Sequence, residues 1–304
     1  MTARDNWKAY AAWIAVCVVW STTYLAIRIA VRDLPPALMS GVRFTFAGAA
    51  LMLILKIRGE RIPPLQTWWP LAIVAIALIG LGNWLVVWAE KTVPSGLAAL
   101  MVAATPLWMA TFERFWNREA SPHSMQIAGL LIGFAGVILL VLPLLKGTLN
   151  IAYLKGVGAL QIASTSWALG SLYSKYKKVE AKPLVGASIQ MLIGGIFLMT
   201  LGTINGEWTQ IRFAAPSLIA FVYLVLIGAM IGYACYIYAL SHLPSSTVSL
   251  YAYINPAAAV WLGWLILNEP VGWNTVVATV VILFGVWLVR RTVRSKTQAD
   301  RKAA

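Results

Sequence analysis

Apolar residues run along this chain in long blocks, separated by short clusters of charge, proline and glycine. The blocks fall at approximately 9–31, 36–56, 68–90, 95–116, 124–144, 152–175, 183–204, 215–240, 246–267 and 271–290. Each approaches the about 20 apolar residues an α-helix needs to cross a bilayer, so the pattern predicts ten membrane helices. Breakers mark the connections: Pro35-Pro36 starts the second block, Pro63-Pro64 and Pro70 precede the third, and Asn205-Gly206 ends the seventh. The first block, from about Tyr10 to Ala30, is too long for a signal-peptide core and is read as a retained span.

One stretch occurs twice. Gly82 to Glu119, shifted by 150 residues, falls without a gap on Gly232 to Glu269. Matching pairs are Gly82/Gly232, Ala89/Ala239, Pro94/Pro244, Ser95/Ser245, Leu100/Leu250, Pro106/Pro256 and Glu119/Glu269. These are punctuation points: a Pro-Ser turn, a proline within the next apolar run, and a glutamate beyond it. The chain therefore divides into two copies of one unit, residues 1–150 and 151–304. Five spans per copy is an odd number, so the second copy enters the membrane in the opposite sense. That predicts an all-α integral membrane protein of ten helices in two inverted five-helix repeats, with two nearly equivalent packings, as alternating access requires.

Composition agrees with this class. Hydrophobic residues make up 60% of the chain and charged ones 11%, less than half the usual share of a soluble domain. The net charge of +14 could suggest nucleic acid, but the cations sit at block ends and in the tail from Arg290 to Lys302. They read as anchors on anionic lipid, with no nucleic-acid partner. Counting Lys and Arg by side puts 17 at one set of ends and 6 at the other, which predicts cytoplasmic termini.

Few residues promise chemistry. Arg43 is the one cation well inside a span, and aligning Pro36 with Pro183 sets Gln190 opposite it. An intramembrane charge usually faces an interior or a wet cavity. Arg43 either meets a substrate carboxylate or locks helices by bonding carbonyls and Glu113 or Glu90. Pro106 and Pro256 each free a backbone carbonyl in mid-span, either as packing kinks or, with the Pro94 and Pro244 turns, as hinges for gating. Mid-span aromatics are abundant, Tyr24, Tyr236 and Tyr238 among them. Trp20, Asn83, Met101, Trp167, Tyr233 and Tyr251 are the candidate walls of an apolar pocket with a few polar points. Thr22, Thr23, Gln161, Ser164, Ser166 and Asn255 lie at similar depths. The pairs Gly129/Gly133 and Gly228/Gly232, with Gly194-Gly195, read as sites of close helix crossing. Cys17 and Cys235 read as core residues. The chain contains no GxxxxGK[ST], HExxH, CxxC or GxSxG, so no cofactor, metal or enzymatic activity is expected.

The repeated unit resembles the EamA type of the drug/metabolite transporter superfamily. So do Trp20-Ser21, Pro36 followed by Arg43-Phe44, and Gly136-Val137 with Gly285-Val286. Within that superfamily the chain is similar to the bacterial aromatic amino acid exporters. The resemblance implies a central cavity walled by the first, third, fourth, sixth, eighth and ninth spans, and outward transport across the bacterial inner membrane. It also implies that Arg43, Pro94, Pro106, Glu119, Pro244, Pro256 and Glu269 serve architecture and gating. The closing motif differs between copies: Asn117-Arg118-Glu119-Ala120 in the first, Asn268-Glu269-Pro270 in the second.

The expected function is a secondary transporter exporting amino acids, aromatic and apolar ones foremost. The alternative is a proton-coupled multidrug or metabolite exporter. Its partners would be a small-molecule substrate and the bilayer, and a two-repeat chain can act as a monomer.

Overall fold

The computed structural model describes residues 3–116, 124–145, 151–177, 181–249, 251–269 and 271–303. Glu119 with its neighbours Asn117, Arg118 and Ala120, Leu250 of the repeat, and Pro270 lie outside them. Among the described residues the long helices are α1 (Ala3–Ala30), α2 (Pro36–Ile57), α3 (Trp69–Ala89), α4 (Ser95–Phe112) and α5 (Ser124–Leu145). They continue as α6 (Ile151–Tyr176), α7 (Pro183–Ile204), α8 (Ala215–His242), α9 (Tyr251–Leu267) and α10 (Trp273–Ala303). Six of them, α1 from Trp7 onward, α2, α3, α4, α7 and α8, are long and apolar enough to cross a membrane. The chain is an all-helical integral membrane protein.

Local sequence sets the helix ends. Prolines occupy the first turns of α2, α3, α7 and α8, where a missing N–H costs nothing. Past α7, Gly206 adopts φ 67° after Asn205, the left-handed stop that a residue without Cβ takes freely. Pro94 and Pro244 enter the next helices with nearly the same backbone, φ −56°, ψ 147° and φ −57°, ψ 141°.

α10 runs on as helix past the span boundary near 290 to Ala303, through the basic tail, which contains no proline or glycine to stop it. Two expectations need correction. The ninth block is not continuous from 246: a single turn, Ser245–Val248, precedes α9. The two repeat prolines also behave differently. Pro256 sits inside unbroken α9, whereas α4 is interrupted at Ala103-Ala104 and Pro106 lies in the first turn of its second segment.

Packing brings matching helices together. α2 lies along α7 and α5 along α10, the two most extensive pairings. Both are built on glycine. A Cβ on Gly41 would stand 2.5 Å from the Met199 backbone nitrogen, and one on Gly195 2.4 Å from that of Thr45. In the other pair, a Cβ on Gly285 would stand 2.5 Å from the nitrogen of Gly133. Such close backbone approach is the usual way apolar helices associate in lipid. α1 packs against α8 and α9, and α6 against α3 and α4, leaving a central space between the two groups.

Two helices depart from α geometry. α3 is π-helical over Ile76–Asn83 and α8 over Leu224–Tyr233. The stretches end at residues 150 apart. Wide turns of this kind gather at functional sites.

Candidate functional site

The central space is lined by α1, α2, α3, α4, α6, α8 and α9. Trp20 of α1 and Trp167 of α6 form its core, ring centroids 5.4 Å apart and edge to face. They are 147 residues apart, as Pro36 and Pro183 are. Each tryptophan rests on a glycine of the other half's π-helical stretch. A Cβ on Gly232 would come within 2.5 Å of the Trp20 indole nitrogen, and one on Gly82 within 2.9 Å of the Trp167 ring. The pair Gly228/Gly232 therefore does more than let helices cross, since Gly228 also lines the cavity and its carbonyl accepts from Trp20 Nε1 at 3.3 Å.

Tyrosines complete the box. Tyr251 stands edge-on to Trp20 at 5.0 Å, and Tyr233 edge-on to Trp167 at 6.5 Å. Gln190 does not reach the cavity; its Oε1 accepts from the Tyr233 hydroxyl at 2.8 Å and fixes that ring. Tyr236, one of the mid-span aromatics but not among the six candidate walls, joins the box. It touches Trp20, Trp167 and Tyr251, accepts from Trp167 Nε1 at 3.0 Å, and shares a 2.6 Å bond with Ser171. Its spacing from Tyr233, i to i+3 on one helix, was the available signal.

Asn83 lines the cavity from the end of the π-helical stretch of α3. Met101 is elsewhere: it is fully buried in an apolar cluster with Leu100 and Ala98, while Val102 and Thr105, flanking the break in α4, face the cavity instead. Of the other polar candidates, Thr23 and Ser164 are wall residues, whereas Ser166 donates to the carbonyl of Ala77.

Arg43 lines the cavity from α2, 3% exposed, with its guanidinium carbon 4.5 Å from the Phe44 ring centroid. Its Nε and Nη1 have no hydrogen-bond partner. The helix lock to Glu113 or Glu90 is not made: Glu113 accepts from Ser245 and Tyr176, and the Glu90 carboxyl is buried without a partner. Asn83 Oδ1 and Ser164 Oγ are likewise buried and unpartnered. A buried donor left unpaired costs about 1–3 kcal/mol, more when charged, so this cluster is the costly part of the cavity wall. The cavity gives about 60 Å³ to the centres of water-sized molecules, room for a few waters.

Both ends of the cavity are tied. At one end the Glu269 carboxylate accepts from the Ser95 nitrogen at 2.9 Å, the Ser95 hydroxyl at 2.8 Å and the Gly96 nitrogen at 3.2 Å. Asn268, at φ 53°, turns the chain back so that Glu269 can reach. At the other end Glu113 Oε1 accepts from the Ser245 and Tyr176 hydroxyls, both at 2.8 Å. The start of α4 is thus bound to the end of α9, and the end of α4 to the turn before α9, so the two helices run antiparallel. Among the described residues no group of His, Cys, Asp and Glu could hold a metal ion.

A helical membrane protein with an aromatic, arginine-bearing cavity tied at both ends has the architecture of a carrier. The chain belongs to the EamA-like transporter family, whose pattern matches residues 7–142 and again 154–291. It is 36% identical over 293 residues to YedA of Escherichia coli (strain K12), named as an uncharacterized inner membrane transporter, covering 95% of this chain and 92% of that one. It is 24% identical over 287 residues to the uncharacterized transporter YvbV of Bacillus subtilis (strain 168), covering 94% and 92%. It is 27% identical over 276 residues to the protein PagO of Salmonella typhimurium (strain LT2), covering 90% of each. A solved crystal structure shares the fold, with a TM-score of 0.66 at 19% identity over 94% of this chain and 98% of that one.

Proposed function

We propose that this transporter exports amino acids, aromatic and apolar ones foremost, across a bacterial inner membrane by alternating access of two inverted repeats. The observation that carries the reading is Arg43: a buried guanidinium with free donors, beside an aromatic box. A fixed cation there selects a carboxylate. Asn83 Oδ1 and Ser164 Oγ supply acceptors for an ammonium group, and Trp20, Trp167, Tyr233 and Tyr251 supply faces for an apolar side chain. The same arginine disfavours organic cations, which seek an acidic partner.

Inversion is supported by the matched pairs: antiparallel α4 and α9, π-helical stretches 150 residues apart, and tryptophans that each rest on the opposite half. Both ends of the cavity are tied in the described packing. Pro94, Pro106, Pro244 and Pro256 then act as hinges around which one tie parts while the other holds. Cytoplasmic termini follow from the distribution of Lys and Arg, and YedA's name supports the inner membrane.

The test is counterflow into proteoliposomes that contain the purified chain and are preloaded with unlabelled tryptophan. Labelled tryptophan, threonine and a cationic dye are offered outside. Saturable tryptophan counterflow, lost in Arg43→Gln, is the expected result. Accumulation of the dye alone, driven by a pH gradient, would replace this reading with that of a multidrug exporter.

A further inference from the structure

Close to the Glu269 tie lies a second carboxyl that neither the cavity nor the tie uses. Glu90 follows the last residue of α3 and is fully buried, and both of its carboxyl oxygens lack a hydrogen-bond partner. A structural glutamate in such a place would be bonded; an ionised one without bonds or a counter-ion is too costly to keep. The nearest cation does not serve it. Arg28 of α1 donates from Nη1 to the main-chain carbonyl of Glu90, and its Nε stands 3.9 Å from Glu269 Oε1. No ion pair joins Arg28 to the Glu90 carboxyl among the described residues. The other titratable groups around it are the Tyr24 phenol of α1 and, in the same apolar cluster around Ala89, Tyr153 of α6. Neither phenol is charged at neutral pH.

Two carboxyls thus lie on either side of Arg28 in unlike surroundings, one paired with it and one not. Glu269 has three donors; Glu90 has none. Pairs set apart in this way divide the work of holding and releasing a proton. We propose that Glu90 is the proton-carrying group of the transport cycle. Its carboxyl holds a proton while Glu269 is bonded to Ser95 and Gly96. When the Glu113 tie at the other end parts and water enters from that side, the O–H bond breaks and the proton passes to that water. The carboxylate left behind is reprotonated from water on the Glu269 side when that tie parts in its turn. One proton then crosses for each cycle, which makes net export a proton exchange.

The proposal rests on the transporter reading for its coupling but not for its proton, so two measurements separate them. Infrared difference spectra of the purified full chain, without substrate, are recorded through a pH titration in wild type, Glu90→Gln and Glu269→Gln. A protonated-carboxyl band present at neutral pH, absent in Glu90→Gln and kept in Glu269→Gln, is expected. Its absence from the wild type overturns the proposal whatever the substrate is. In proteoliposomes, a gradient of one pH unit sustains about tenfold tryptophan accumulation at one proton per solute. Glu90→Gln should show no such accumulation while counterflow persists in the same vesicles. Accumulation retained by Glu90→Gln overturns the coupling. An intact infrared band with no tryptophan movement in any vesicle leaves the proton site standing and removes the amino acid reading.

Discussion

Glu269 and Glu113 tie opposite ends of the same antiparallel pair, α4 and α9, by different chemistry. Glu269 accepts two backbone N–H groups and a hydroxyl, so its charge sits at the start of a helix, where the peptide dipoles favour it. Glu113 accepts two neutral hydroxyls. Glu269 holds three bonds, two of them from helix-start N–H groups, against two for Glu113, so the Glu269 end is the firmer of the two. The repeat shows how the difference arose. Shifted by 150, Glu113 falls on Gly263. A Cβ at Gly263 would lie 2.3 Å from Glu269 Oε2 and 3.0 Å from the Ser95 hydroxyl, so the second half clears that place for a carboxylate arriving from six residues on. The first half puts its carboxylate at the place itself. Similar repeats therefore make unequal ties.

This asymmetry can be broken end by end, reading the rate at which an impermeant maleimide labels a cysteine placed at Thr105 in the cavity. Glu269→Ala should have the largest effect. It strands the N–H groups of Ser95 and Gly96, costs on the order of 3 kcal/mol, and should raise labelling from the Glu269 side about a hundredfold. Gly263→Ala keeps every bonding group but crowds them, so labelling should rise from that same side by about tenfold. Equal labelling from both sides in either variant would mean that the two ends are not independent gates.

Glu113→Gln can still accept a hydroxyl, so from the opposite side the increase should be only about threefold. Lys175→Met should be smallest. It removes the bonds from Lys175 Nζ to the carbonyls of Leu243 and Leu240, which brace the Pro244 turn, together with a charge near Glu113, and should change labelling on that side about twofold. A Glu113 or Lys175 effect exceeding that of Glu269 would reverse the ranking of the two ends.

The helices were legible because their signal is cumulative: long apolar runs, prolines at helix starts, Asn205-Gly206 at a stop. Much of the cavity was legible too. Trp20, Trp167, Tyr233, Tyr251, Asn83 and Arg43 all line it, since an aromatic or charged side chain deep in a span needs an interior partner. Met101 carries no such requirement; an apolar side chain packs equally well on either side of its helix, and this one faces away. The break at Ala103-Ala104 and the π-helical stretches were not legible, because they depend on what the helix packs against rather than on local propensity. The Glu269 tie was hidden for a related reason. It joins residues 174 positions apart through a turn that only the left-handed backbone of Asn268 makes possible.

The π-helical stretches carry one more consequence. Each inserts extra residues into a turn, and every residue beyond it is rotated by the roughly 100° that one residue subtends in an ordinary helix. Asn83 and Tyr233 stand at the far ends of these stretches. If such a stretch shifts by one position, the side chain at its end swings out of the cavity while both helix ends stay anchored. α3 and α8 can therefore exchange the face they offer a solute as a camshaft does, by turning in place.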